Sequence, residues 1–284
     1  MRCACFLILL SPSAIFATDR LAAPQQKTSK VNSDRIKVEL GRSDPESAPA
    51  HNDRGEEFRK KREFDRAIEE YSAAIRLDPT FTWPYNNRGL TWTAKGEFDK
   101  ALKDFAEALR LDPKYSFPYN NRGLVWAAKG EWDNAINDYS RAINLDGRYL
   151  FAHWNRGVAW EVRGEISKAI ADYAESIQID PNYAPPYNSI AWLRATYHDA
   201  RYRAGKEAVE YATKACELTN WKSYAEIDTL AAAYAEAGEF TNAVIRGMTA
   251  LELAPENEKA HVSERLELFR SNQPYRQPVK QQDK

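Results

Sequence analysis

The sequence predicts an all-α solenoid, because one short unit recurs along the chain and each copy divides into two helices. Residues 82–115 reappear as residues 116–149, so that Pro-Tyr-Asn-Asn-Arg-Gly-Leu occurs twice at an offset of 34 residues. A fixed period of this length is typical of solenoids, in which each unit buries its apolar face against its neighbours. Small residues at fixed positions and regularly spaced helix ends support the same class.

Proline and glycine mark where the helices of each copy begin and end. In the copy quoted first, the first helix should begin near Pro84, because proline is tolerated in the first turn. It should end at Gly96, which suits a left-handed cap. The second helix should run from about Asp99 to Leu111, since Pro113 disfavours helical geometry in the residue before it. Each copy is therefore a helix-turn-helix unit.

The repeat organises most of the chain. With the glycine of Asn-Arg-Gly as position 8, we expect about six repeats: 48–81, 82–115, 116–149, 150–183, 184–223 (with an insertion at 198–205) and 224–257. A helix over 258–270 should cap the open end of the stack, because an end repeat has no neighbour to bury its apolar face. A flexible tail should follow over 271–284.

The N-terminal segment has the features of a signal peptide. Residues 1–17 combine a short positive start at Arg2, an apolar stretch and Ala17 at a suitable cleavage point. The stretch is too short to span a bilayer. Residues 18–47 are polar and should form a disordered linker. The sequence thus predicts export to the periplasm or cell envelope, without a membrane span after cleavage; without a working signal, the protein would be cytoplasmic.

Composition and motifs argue against several classes of function. The chain has 284 residues and a net charge of -1, so it lacks the basic footprint of a nucleic-acid-binding protein. No histidine or cysteine spacing fits a metal site, and no nucleophile arrangement or phosphate-binding glycine loop is present. We expect no cofactor, no metal, no catalytic residues and no enzymatic activity. Cys216 should be a buried small residue, and three histidines should be core or half-buried rings rather than ligands: His51, His153 and His261.

The small and aromatic positions of the repeats resemble those of the tetratricopeptide repeat. Positions 8, 20 and 27 are small and positions 11 and 24 are aromatic, as in Gly89, Ala101, Ala108, Trp92 and Phe105 of the second repeat. The resemblance covers about 48–257. It implies helix pairs stacked into a right-handed superhelix with a concave inner face, and a protein-binding scaffold as the usual role. Small residues should mark the points where helices approach closely, with the aromatic rings beside them.

Arginine at position 7 departs from the family pattern, which usually has an apolar residue there. The four arginines each share a repeat with an acid at position 23: Arg54 with Glu70, Arg88 with Asp104, Arg122 with Asp138, and Arg156 with Asp172. We expect each arginine to pair with the acid on the second helix of its own repeat. Such pairs are structural rather than catalytic, and burial decides how much they matter.

Positions 2, 6, 9 and 13 of the first helices share one face, which the resemblance assigns to the concave groove. We call this the groove face. In repeats 2 to 4 positions 2, 6 and 9 hold Trp83, Asn87, Leu90, Phe117, Asn121, Leu124, Phe151, Asn155 and Val158, and position 13 holds Ala94, Ala128 and Val162. Repeat 5 continues the face with Pro185, Ser189, Trp192 and Thr196. A row of asparagines could bond the backbone of an extended peptide, and the apolar neighbours favour apolar ligand side chains.

Two alternatives stay open for the groove face and for the protein. The aromatic residues could instead fold back against the preceding repeat while the asparagines bond locally. The sequence predicts a non-catalytic adaptor that holds a protein or an extended peptide in the groove. The alternative is a structural or assembly protein that uses its stack ends or convex face, including as an oligomer. Neither the partner nor the oligomeric state follows from the sequence.

Overall fold

The computed structural model describes Asp44 and residues 46–278. Within these residues the chain forms 13 α-helices and one 3-10 turn, and no strand. The signal peptide predicted over 1–17 and nearly all of the linker predicted over 18–47 lie outside the described residues. A search of the described part of the chain finds no helix with the length and apolarity that a membrane span requires.

The helices belong to two compact units, which meet in sequence between Ala159 and Trp160. Unit 1 contains α1 (Ala48–Lys60), α2 (Phe64–Leu77), α3 (Thr82–Ala94), α4 (Phe98–Leu111), α5 (Ser116–Ala128), α6 (Trp132–Leu145) and most of α7 (Leu150–Val162). Unit 2 contains α8 (Ile166–Ile179), α9 (Ala184–Thr196), α10 (Gly205–Leu218), α11 (Tyr224–Glu236), α12 (Phe240–Leu253) and α13 (Glu256–Arg270). The predicted all-α solenoid of helix pairs followed by a final helix is confirmed.

The helices end close to the glycine and proline residues that predict their boundaries. Gly96 and Gly130 have φ of +77° and +81°, in the left-handed region that favours glycine. Asp112 ends α4 with an extended backbone, because the next residue is Pro113. The first helix of this repeat begins at Thr82, so Pro84 lies within its first turn rather than at its start.

Glycine at position 8 lets the aromatic ring at position 24 lie against the first helix of the same repeat. A Cβ atom on Gly89 would lie 2.7 Å from Cε1 of Phe105, and one on Gly123 would lie 2.6 Å from Cε1 of Tyr139. Both rings are fully buried. The tryptophans at position 11 are less buried than expected. Trp92 is half-buried, and the Nζ of Lys100 lies 4.5 Å from its ring centroid.

The final helix closes the last repeat through an apolar face. Val262, Leu266 and Phe269 of α13 are buried. A Cβ on Gly247 of α12 would lie 3.0 Å from Cδ1 of Leu266, so the two helices approach closely there. Beyond Arg270 the described tail residues return to α9, where Gln277 bonds to Thr196, and these contacts were not predicted.

The insertion of repeat 5 is fastened to the helices beside it. It contains a 3-10 turn, Ala200–Tyr202. Arg203 Nη1 donates to the carbonyl oxygens of Tyr197 and His198, at 3.0 and 2.9 Å. Arg203 Nε donates to Glu236 of α11 at 3.1 Å. One arginine therefore closes the loop and anchors it to the next repeat.

Candidate partner-binding surface

Within unit 1 the structure brings each predicted arginine and acid together. Arg88 Nε and Nη2 lie 2.8 Å from the two carboxylate oxygens of Asp104. Arg122 contacts Asp138 in the same two-pronged way, at 2.8 and 2.7 Å. In a third pair, Arg54 Nε donates to a carboxylate oxygen of Glu70 at 3.1 Å. Arg156 and Asp172 belong to different units, and their pairing stays a prediction.

These pairs hold helices together instead of presenting charge to a ligand. The Asp104 side chain is only 9% exposed, against 21% for Arg88. Burial raises the pKa of the Asp104 carboxyl above its ordinary value, although hydrogen bonding and the charge of Arg88 act in the opposite direction. Arg88 Nη1 also donates to Ser72 of the preceding repeat at 2.9 Å. The arginine therefore joins both helices of its own repeat to its neighbour.

The asparagines of the groove face form hydrogen bonds with each other. The position-6 amide of each repeat donates to the position-5 asparagine of the repeat before it. The three contacts between repeats are Asn87 to Asn52 at 3.1 Å, Asn121 to Asn86 at 2.9 Å and Asn155 to Asn120 at 2.9 Å. Longer bonds within each doublet, from Asn86 to Asn87 at 3.3 Å and from Asn120 to Asn121 at 3.4 Å, connect them. Six carboxamides therefore run as one chain through unit 1.

This chain uses one of the two amide N–H groups of Asn87, Asn121 and Asn155. Asn121 and Asn155 are 6% and 3% exposed, while Asn87 is half-buried. Each of these amides donates to an asparagine of the repeat before it, because a buried amide without a partner is costly. The geometry therefore matches the alternative in which the asparagines bond locally. The position-5 residues were missed, although the Asn-Asn doublet that recurs at the repeat period was a visible signal.

The aromatic residues at position 2 lie next to the aromatic residues that precede each first helix. The Phe117 ring lies between Tyr115 and Tyr149, with centroid distances of 5.7 and 5.0 Å. Phe151 continues the row beyond Tyr149 at 6.4 Å. Burial raises the pKa of the Tyr149 hydroxyl above its ordinary value, because it disfavours the charged phenolate. Four rings therefore form one row, from Tyr115 to Phe151.

A separate aromatic pair lies at the start of the second repeat, where the ring centroids of Phe81 and Trp83 are 5.8 Å apart. The position-9 side chains vary in burial. Leu90 is half-buried and packs against the cluster of Ala101, Phe105 and Val125. Leu124 is half-buried and Val158 is 9% exposed. Trp83, Leu90, Phe117 and Leu124 thus keep part of their apolar surface exposed.

The remaining candidate residues contribute to the fold. His51 Nδ1 lies 2.7 Å from Glu70, and His153 Nε2 lies 3.1 Å from the carbonyl oxygen of Gly147. Cys216 is buried, and burial raises the pKa of its thiol to about 12. Among the described residues, no three His, Cys, Asp or Glu side chains are grouped as a metal site requires.

Comparisons with known proteins agree with this architecture. A tetratricopeptide repeat model matches residues 83–115, and a TPR repeat model matches residues 55–92 and 127–161. No curated protein sequence matches the chain. The crystal structure of MamA is 29% identical, with a TM-score of 0.50, and the match covers 59% of this chain and 95% of that one.

Two further solved structures share the fold. PilW, described as a widely conserved type IV pilus biogenesis factor, has a TM-score of 0.65 and 16% identity over 76% of this chain and 98% of its own. The pilF protein of Pseudomonas aeruginosa has a TM-score of 0.67 and 14% identity over 76% and 96%. Proteins built from such repeats are generally protein-interaction scaffolds. The sequence matches and the helix pairs together show that the chain contains tetratricopeptide repeats.

Proposed function

We propose that this protein is a non-catalytic scaffold that binds a protein or an extended peptide on the groove face of unit 1. The observation that supports this most directly is the row of half-buried apolar side chains at positions 2 and 9 of repeats 2 and 3. These are Trp83, Leu90, Phe117 and Leu124. Large apolar side chains that lie partly exposed at a regular spacing are typical of interaction surfaces.

The asparagine chain has a supporting part in this proposal. Asn121 and Asn155 each donate one amide N–H to the preceding repeat, and both side chains are buried, so they present little surface to a peptide backbone. Instead they fix the distance between consecutive first helices. A ligand then gains affinity from apolar contacts at constant intervals, and a rigid surface lowers the entropic cost of binding. The partner segment should therefore carry apolar side chains.

Capture experiments with matched surface variants test this function. Full-length protein is immobilised on beads and incubated with an extract from its own source. The proteins that it retains are then quantified. A Leu90→Glu/Leu124→Glu variant should lose the specific partner, because two charges would be buried in the interface. The matched control, Lys103→Glu/Asn137→Glu, alters exposed residues of the second helices and should retain it. The reverse pattern would favour the alternative, a structural or assembly protein that uses another face. Circular dichroism checks folding.

We also propose that the protein is exported. The support is the charge and apolar pattern of residues 1–17 alone. A fusion of residues 1–47 to alkaline phosphatase, which is active only after export, should be active in a bacterial host. The same fusion without residues 1–17 should be inactive, and equal activity of the two fusions would argue against a signal.

A further inference from the structure

The described tail lies on the repeat-5 part of the groove face. Gln277 N–H donates to the backbone carbonyl of Thr196 at 2.8 Å. The side-chain amide of Gln277 donates to the Thr196 hydroxyl at 2.9 Å. Two residues earlier, the Tyr275 ring packs on Trp192, with centroids 5.8 Å apart. An extended segment therefore contacts one first helix, α9, through both its backbone and its side chains.

The repeat-5 positions next to the tail are more buried than the equivalent positions of the second repeat. Trp192 and Thr196 occupy positions 9 and 13 of repeat 5, and are 3% and 0% exposed. In the second repeat the same positions hold Leu90 and Ala94, which are only half-buried. The tail thus lies on groove-face positions that are partly exposed in the second repeat.

A carboxylate on α11 also contacts the tail. Arg276 of the tail lies 2.6 Å from a carboxylate oxygen of Glu236, at the end of α11. The Glu236 side chain is 13% exposed, and its other oxygen accepts from Arg203 of the insertion at 3.1 Å. The acid is therefore held between a cation of the fold and a cation of the tail, and favours a basic residue at this point.

A buried arginine lies close to the Tyr275 ring. Arg265 of α13 lies 5.7 Å from the Tyr275 ring centroid and 5.6 Å from that of Trp192. Arg265 is 5% exposed, and its guanidinium is fixed by Asp228, with nitrogen–oxygen distances of 3.2 and 2.5 Å. A buried, oriented guanidinium next to a tryptophan suits an aromatic ring.

We propose that α9, α11 and α13 form a second binding site, for an extended partner segment in which an aromatic residue directly precedes a basic one. Residues 275–277 are an internal occupant of this site. A partner segment must displace them, so the tail sets the apparent affinity. This inference rests on the proposed scaffold function only in that the ligand is a protein segment. It concerns unit 2 and does not involve the unit 1 residues Leu90 and Leu124.

A peptide in place of the partner tests the site directly. The probe is a fluorescein-labelled peptide with the sequence of residues 272–278, and its binding to full-length protein is followed by fluorescence anisotropy. A tethered tail competes at an effective concentration of about 1 mM. We therefore expect a Tyr275→Ala/Arg276→Ala variant, whose tail no longer competes, to bind the probe at least about tenfold more tightly than the unaltered protein.

Matched variants identify the site. Adding Glu236→Gln to the tail variant should weaken probe binding about tenfold or more, because it removes the charge that faces the basic residue. Adding Glu252→Gln, at an exposed position of α12, should leave binding unchanged. A probe in which alanine replaces the tyrosine should bind poorly. If the double tail variant is unfolded by circular dichroism, Arg276→Ala alone takes its place.

Several results would overturn the proposal. Equal probe binding by the unaltered protein and the tail variant would show that the tail does not compete. Absence of binding by the folded tail variant would show that the contacts only stabilise the fold. If sedimentation shows that the unaltered protein self-associates and the tail variant does not, the site takes the tail of a second copy instead. The peptide assay uses no extract and concerns unit 2 alone. A negative result would therefore not contradict the proposed partner binding on the groove face of unit 1.

Discussion

Arg122 donates two hydrogen bonds to Asp138, with Nε 2.8 Å from one carboxylate oxygen and Nη2 2.7 Å from the other. The arginine lies on α5 and the aspartate on α6, so this contact joins the two helices of one repeat. The Asp138 side chain is 9% exposed and the Arg122 side chain 25%. Loss of the arginine would leave a carboxylate in a position that water reaches poorly.

Arg122→Ala should therefore lower the free energy of unfolding by about 2–4 kcal/mol, somewhat less than for a fully buried pair because the guanidinium is partly hydrated. Urea denaturation measures the loss. The exchanged variant Arg122→Asp/Asp138→Arg should regain much of what either reversal loses. As a control, Lys129→Ala should have no measurable effect, since its partner Asp99 is 84% exposed. Simple additivity of the two reversals would contradict the coupling.

Gly123→Ala tests the close approach of α5 and α6. The added Cβ would lie 2.6 Å from Cε1 of the fully buried Tyr139 ring, so one helix has to shift. We expect the free energy of unfolding to fall by about 1–3 kcal/mol. Gly147→Ala is the matched control, because a Cβ there meets nothing within 4 Å. Chemical denaturation compares the two, and an unchanged stability of the Gly123 variant would show that the ring moves aside freely.

Asn120→Ala tests the asparagine chain. Asn120 accepts a hydrogen bond from Asn155 at 2.9 Å, and both residues are 3% exposed. Removing the acceptor leaves a buried amide donor without its partner, which should cost about 1–3 kcal/mol of unfolding free energy. Asn137→Ala, at an exposed position of α6, should change it by less than about 0.5 kcal/mol.

A double-mutant cycle distinguishes this hydrogen bond from general packing. If the two amides act through one bond, the Asn120→Ala/Asn155→Ala variant should lose clearly less than the sum of the single losses. Both chemical denaturation and amide hydrogen exchange of α5 and α7 can report it. Independent, additive losses would mean that the contact contributes little.

The sequence allowed the fold and the contacts within one repeat to be predicted because they depend on a short separation in the chain. Gly123 and Tyr139, like Arg122 and Asp138, are 16 residues apart and lie on the two helices of one unit. Helical spacing alone then places their side chains on facing surfaces. The pattern is visible each time the repeat recurs.

Contacts between repeats were harder to predict. Asn121 bonds to Asn86, 35 residues away, because a position-6 residue reaches position 5 in the first helix of the preceding repeat. That one-residue displacement depends on how the helices pack, which the 34-residue period does not specify. The tail contact was still harder to predict from the sequence, since Gln277 lies outside the repeats and bonds to Thr196, 81 residues away.

Cys216 provides a test of burial through pH. Burial raises the pKa of its thiol from an ordinary 9.0 to about 12. Below pH 9 the thiol is protonated in the folded and unfolded states, so its contribution to stability is fully present. As the pH rises from about 9 toward 12, only the unfolded state loses the proton, and that contribution is lost.

In a Cys3→Ser/Cys5→Ser background, the folded protein should react slowly with a thiol-specific disulfide reagent at pH 8, and rapidly once unfolded. The Cys216→Ala variant should lack this part of the stability loss between pH 9 and 12. Rapid reaction of the folded protein with the reagent would show instead that the thiol is accessible.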